Sequence, residues 1–112
     1  MVGMIFHIAS RDDWEAAEHA GEYRISTVGR SLDEEGFIHA SHRHQATGVV
    51  QRHYRGFPAP LVLLVIDPDW VVAEIREEAA PGTDELFPHI YGPLNVDAVI
   101  EAIDLSPAQD LA

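Results

Sequence analysis

"LVLLVID", Leu61 to Asp67, is the stretch on which the fold assignment turns. It is continuous in branched and aliphatic residues and is stopped by Pro68, which suits a buried core strand. Downstream, "WVVAEIREE" (Trp70 to Glu78) alternates and predicts a second strand, and "AAPGTDELFP" predicts a loop. "HIYG" (His89 to Gly92) is short and ambiguous. "LNVDAVIEAIDL" fits a helix through Val96, Val99, Ile100 and Ile103, while its second part, "VIEAIDL", fits a strand equally well. One turn followed by a strand is the assignment adopted.

Upstream, "FPAP" is a rigid link behind a helix through "HRHQATGVVQRHYR", with Ser41 as its expected N-cap and Gly56 as its end. The inner face of that helix is expected to carry Ala46, Val49, Val50, His53 and Tyr54. "GFIHA" reads as a strand with Phe37, His39 and Ser41 facing one way. "TVGRSLDEEG" is a polar connection and "EYRIS" a short strand. "IFHIAS" (Ile5 to Ser10) is a buried strand, and Ser10 caps a helix that Gly21 closes. The pattern is α+β: one domain over residues 1–112, with two main helices and five or six short strands.

Composition narrows the functional classes. The chain has no cysteine, so disulfides and thiolate metal sites are excluded. Net charge is −12, which argues against nucleic-acid or anionic-membrane partners. The acidity is concentrated in residues 57–112, which carry one arginine. There is no apolar run of membrane-spanning length, and "MVGMIFHIAS" has neither the basic region nor the apolar stretch of a secretory signal, so a cytoplasmic location is expected.

"GFIHASHRHQ" (Gly36 to Gln45) is the segment richest in chemistry. A strand that leads through Ser41 into a helix places backbone N–H groups beside His39, an arrangement suited to phosphate or carboxylate. Arg43, Arg52 and Arg55 lie on the same helix without any acid. His7, within an apolar strand, reads on its own as a core histidine that must be hydrogen-bonded, neutral or facing a cleft. His89, in "FPHIYG", is followed by Tyr91, a ring able to stack a planar ligand or to plug the core. His42 and His44 are two apart, about 200° around a helix axis, and cannot face one metal ion together with His39. No P-loop, Rossmann or nucleophile-elbow motif is present. Glu77 and Glu78 end a strand, where either could project into a cleft.

"IFHIAS", "SLDEEGFIHAS", "LVLLVID" and "FPHIYGPLNVDAVI", in this order, resemble the bacterial and plant family known as domain of unknown function 952. The resemblance covers nearly the whole chain. It implies an ADP-ribosyltransferase-like fold, with two small, mostly antiparallel sheets that bind NAD between them without a Rossmann motif. By that similarity His7 would hold a ribose of NAD, Glu78 (or Glu77) would orient the nicotinamide ribose, and His39, Ser41, His89 and Tyr91 would line the same cleft. The "IAS" after His7 departs from the glycine usual in NAD-binding relatives, leaving less room for close backbone approach.

The resulting expectation is a nucleotide-like small molecule, NAD first, with His7, His39, His89 and Glu78 as catalytic residues. Ser41, Tyr91, Phe37 and Arg43 are expected to bind ligand, and no metal is expected. The alternatives are a module that binds a nucleotide or other ligand without turnover, and a histidine-based, metal-dependent hydrolase.

Overall fold

A computed structural model describes residues 3–105. The central layer is a four-stranded antiparallel sheet in the order β11-β7-β1-β6, formed by β1 (Ile5–Ser10), β6 (Ser41–His42), β7 (Leu61–Ile66) and β11 (Val99–Leu105). All six residues of β7 are buried because both faces of the sheet are covered. Val62, Leu64 and Ile66 join Ile5 and Ala9 in one core with Trp14, Tyr23, Ile38 and Ile90. Leu61, Leu63 and Val65 join Phe6 and Ile8 in a second core with Ala46, Val50 and Tyr54. An unbroken apolar run is what a strand with two dry faces requires.

The helix α1 (Arg11–Ala20) begins as expected: Ser10 Oγ accepts from the Asp13 N–H at 3.1 Å, and Gly21 ends it at φ 90°. Trp14 and Ala17 are its buried residues. β2 (Glu22–Tyr23) pairs with β10 (Leu94–Asn95), and β3 (Ile25–Thr27) with β4 (Arg30–Ser31). The helix α2 (Leu32–Glu35) is closed at its start by Ser31 and Glu34, whose side chains exchange hydrogen bonds with each other's backbone N–H groups at 3.1 and 2.8 Å.

A three-stranded antiparallel sheet, β5-β9-β8, joins β5 (Ile38–His39), β8 (Glu74–Ala79) and β9 (Leu86–Tyr91). The chain is therefore a small mixed α/β fold with several antiparallel sheets and few helices. None of the described helices is long and apolar enough to cross a membrane.

Four expectations are corrected. The strand expected through Gly36–Ala40 is divided: β5 belongs to the three-stranded sheet and β6 to the four-stranded one, with the Ala40 N–H donating to the Pro88 carbonyl at 3.1 Å between them. Ser41 does not cap the next helix, because its backbone is committed to the ladder opposite Phe6. His42 takes the cap position, its N–H met by Gln45 Oε1 at 2.9 Å, and α3 (Arg43–Val49) follows and continues as a π-helical turn over Val50–Tyr54. The strand expected from Trp70 starts only at Glu74: Trp70 ends a 3-10 turn (Pro68–Trp70), since Asp67 Oδ1 accepts from the Asp69 N–H at 3.0 Å and folds the chain back, and residues 71–73 are irregular. The last three residues of the expected loop, Leu86 to Pro88, belong to β9. The expected turn before a final strand is present, as a 3-10 turn (Val96–Ala98) leading into β11.

Candidate functional site

A cleft of about 1210 Å³ opens between the three-stranded sheet, the middle of β1 and the far end of the α3 helix. Antiparallel register decides which side chains reach it. In β9, His89 stands opposite His39 on one side and Arg76 on the other, and Glu78 stands opposite Phe87. The period-two alternation then puts Glu78, Phe87, His89 and His39 on one face, with Ile38, Ile75 and Ile90 turned to the core. Phe37, His39, Ser41, Glu78 and His89 all line the cleft. The choice left open between two adjacent acids is resolved by register: Glu78 faces the cleft, and Glu77 pairs instead with His42 at 2.7 Å.

His89 is buried, stacked on Phe37 at 4.1 Å and 21° between planes. Its Nδ1–H donates to Glu78 Oε1 at 2.8 Å, and the same oxygen accepts from the Tyr91 hydroxyl at 2.5 Å. These two bonds, Tyr91's first, hold the Glu78 carboxyl below the usual carboxylate range. With Nδ1 donating, a neutral His89 ring presents the lone pair of Nε2. Among the described residues Ser26 Oγ is the only buried side-chain polar atom without a partner, so His89 Nε2, which makes no protein bond, is open on the cleft side. Ser41 Oγ is open by the same reasoning.

His39 is the exposed member of the pair. Its Nε2–H donates to Glu35 Oε1 at 3.3 Å, and Glu35 is also held by Arg30 at 2.8 Å. Burial of part of the ring lowers the His39 pKa, against the pull of Glu35.

His7 is brought to the cleft wall, but both of its ring nitrogens are spent inside the protein. Nδ1–H donates to the His39 carbonyl, which leaves Nε2 to accept from the Tyr23 hydroxyl at 2.8 Å. Burial lowers its pKa to about 4. It is a neutral, satisfied core histidine that fixes the backbone of His39, and neither ring nitrogen is free for the ribose contact expected of it.

Two further expectations change. Tyr91 does not line the cleft: the Arg76 guanidinium lies over its ring, 4.5 Å from the centroid, and its hydroxyl buttresses Glu78. Arg43 lies over Phe6 at 5.2 Å and lines a separate shallow groove with Glu101 and Asp104. The helix start therefore does not open into the cleft; Val49, Arg52, His53 and Tyr54, from its opposite end, do. Sequence reasoning had not assigned Arg52 to the site. Arg52, His53 and Tyr54 all lie in the π turn.

The described residues contain no group of three or more His, Asp or Glu side chains able to hold one metal ion. His42 and His44 stack on each other, centroids 6.1 Å apart, and neither lines the cleft.

Among curated proteins, none matches this chain. Among solved structures it is similar to protein CC0527 from Caulobacter crescentus. The crystal structure of CC0527 is 35% identical, with a TM-score of 0.77 over 90% of this chain and 84% of that one. The solution NMR structure of the same protein gives 35% identity and a TM-score of 0.73, over 90% and 83%. The model for the protein family of unknown function DUF952 matches residues 8–102, and the chain belongs to that family.

Proposed function

We propose that the cleft binds a nucleotide-like small molecule, with NAD the first candidate, in a fold of the ADP-ribosyltransferase-like kind. The observation that carries this reading is the Glu78–His89 pair, with His89 Nε2 facing an open cleft. The cleft exceeds the few hundred to about 1,000 Å³ usual for small-ligand sites, room enough for a dinucleotide. Its position between two antiparallel sheets agrees with the resemblance read from the sequence.

NAD supplies a nicotinamide–ribose bond whose cleavage leaves positive charge on the ribose. Glu78 is suited to face such charge: it is held ionised, and only Oε1 is engaged by the protein. His89 Nε2 accepts a proton from a sugar hydroxyl or from the attacking group, with Glu78 fixing the tautomer. Ser41 Oγ and the His39 ring supply further polar contacts on the same wall.

A binding module without turnover is the second reading, favoured by the saturation of His7. Calorimetric titration with NAD and ADP-ribose, followed by assay of free nicotinamide on long incubation, separates the two. Both ligands are expected to bind the native protein. Glu78→Gln is expected to slow nicotinamide release by about a hundredfold with little change in NAD affinity. Binding without release selects the second reading; absence of binding by either ligand overturns both.

A further inference from the structure

The charged groups lining the cleft are unevenly satisfied. Glu35 is bonded to Arg30 and His39, Glu78 to His89 and Tyr91, and Glu85 accepts from Gln45 Nε2 at 3.0 Å. Arg52, like the neighbouring His53 an exposed residue, lines the same cleft and, among the described residues, forms no ion pair or side-chain hydrogen bond. In a chain of net charge −12, with acids on many surfaces, a guanidinium left without a counter-charge at a concave wall is an open anion-binding position.

Backbone geometry sets its direction. Helical side chains lean toward the N-terminus, and Arg52 lies back over Gly48, where a β-carbon would meet its Nη1 at 2.9 Å. The guanidinium is thereby carried a turn away from the free carbonyls that end the helix, which would otherwise compete for its protons. His53 follows it on the cleft wall, and Tyr54 is pinned by its hydroxyl to Thr27 Oγ1 at 2.7 Å.

We infer that Arg52, with His53 beside it, is an anion subsite on the helix wall of the cleft, and that the ligand carries a phosphate or diphosphate group there while its sugar lies toward Glu78 and His89. The substrate class is thus a phosphorylated, sugar-bearing small molecule; this rests on the small-molecule reading above. With Arg52 the one arginine among the described residues that line the cleft, and the protein strongly acidic, the site selects small anions and repels polyanions, since a long phosphate chain meets the surrounding carboxylates.

The test titrates pyrophosphate, ADP-ribose and adenosine into the native protein, Arg52→Ala, Gly48→Ala and, as a control, Arg55→Ala, an exposed arginine outside the cleft. Pyrophosphate and ADP-ribose are expected to bind the native protein and Arg55→Ala alike. Arg52→Ala should lose pyrophosphate binding and weaken ADP-ribose by about tenfold or more, with adenosine unchanged. Gly48→Ala, which displaces the guanidinium, should fall between. Pyrophosphate that fails to bind the native protein, or binds Arg52→Ala as well, overturns the subsite. Arg52-dependent pyrophosphate binding with no response to ADP-ribose or adenosine keeps the subsite and overturns the nucleotide reading instead.

Discussion

Burial keeps the His7 imidazole neutral, with a pKa of about 4, whereas in the unfolded chain it titrates near 6.5. Below 6.5 the unfolded state binds the proton more readily, so this residue's share of stability is complete above that pH and is lost as pH falls toward 4. The loss amounts to about 3 kcal/mol across that window. His7→Ala removes the window and, by leaving the His39 carbonyl and Tyr23 hydroxyl without partners, should cost about 2–4 kcal/mol at pH 7. Urea unfolding of both proteins at pH 7 and pH 4.5 checks this; an equal loss between the two pH values in each would exclude His7 as the source. That a histidine among "IFHIAS" must be satisfied was legible in its apolar neighbours. Its partners were not, because the His39 carbonyl and Tyr23 are supplied by distant segments. The choice between Glu77 and Glu78 was equally hidden, since only the pairing of β8 with β9 turns one toward His89 and the other toward His42.

The short helix α2 orders one edge of the cleft. Ser31 and Glu34 close its first turn, and its last residue, Glu35, holds the His39 ring. Ser31→Ala should cost about 1 kcal/mol in denaturant unfolding and broaden the His39 ring resonances in NMR spectra as Glu35 loses its anchor. A shift in stability with no change at His39 would separate the cap from the site. Elements set by local chemistry were readable in the sequence: the Ser10 cap, the Gly21 stop, the apolar β7 and the turn before β11. Elements set by competition for backbone groups were not. "GFIHA" alternates without interruption, yet Ala40 gives its N–H to Pro88 while Ser41 pairs with β1, and this tertiary demand divides the strand and moves the helix cap to His42. The π turn was unreadable for the same reason, although the charge that it displays, Arg52, was visible.

At the level of the whole molecule, the mixture of helices and strands followed from periodicity, whereas the cleft depends on how two sheets meet. The chain crosses from one to the other at a single residue: His39 belongs to the three-stranded sheet, Ser41 to the four-stranded sheet, and the intervening Ala40 is buried and tied to Pro88 at 3.1 Å. The sheets cannot separate without breaking that bond, and both neighbouring residues line the cleft. The Ala40 amide is therefore a gauge of occupancy. Its deuterium uptake should be slow in the free protein and slower by severalfold with ADP-ribose bound, while amides on the outer strand β11 keep their rates. Uptake at Ala40 as fast as at a loop amide would mean that the seam between the sheets is loose, and the cleft a passing shape and not a standing receptacle.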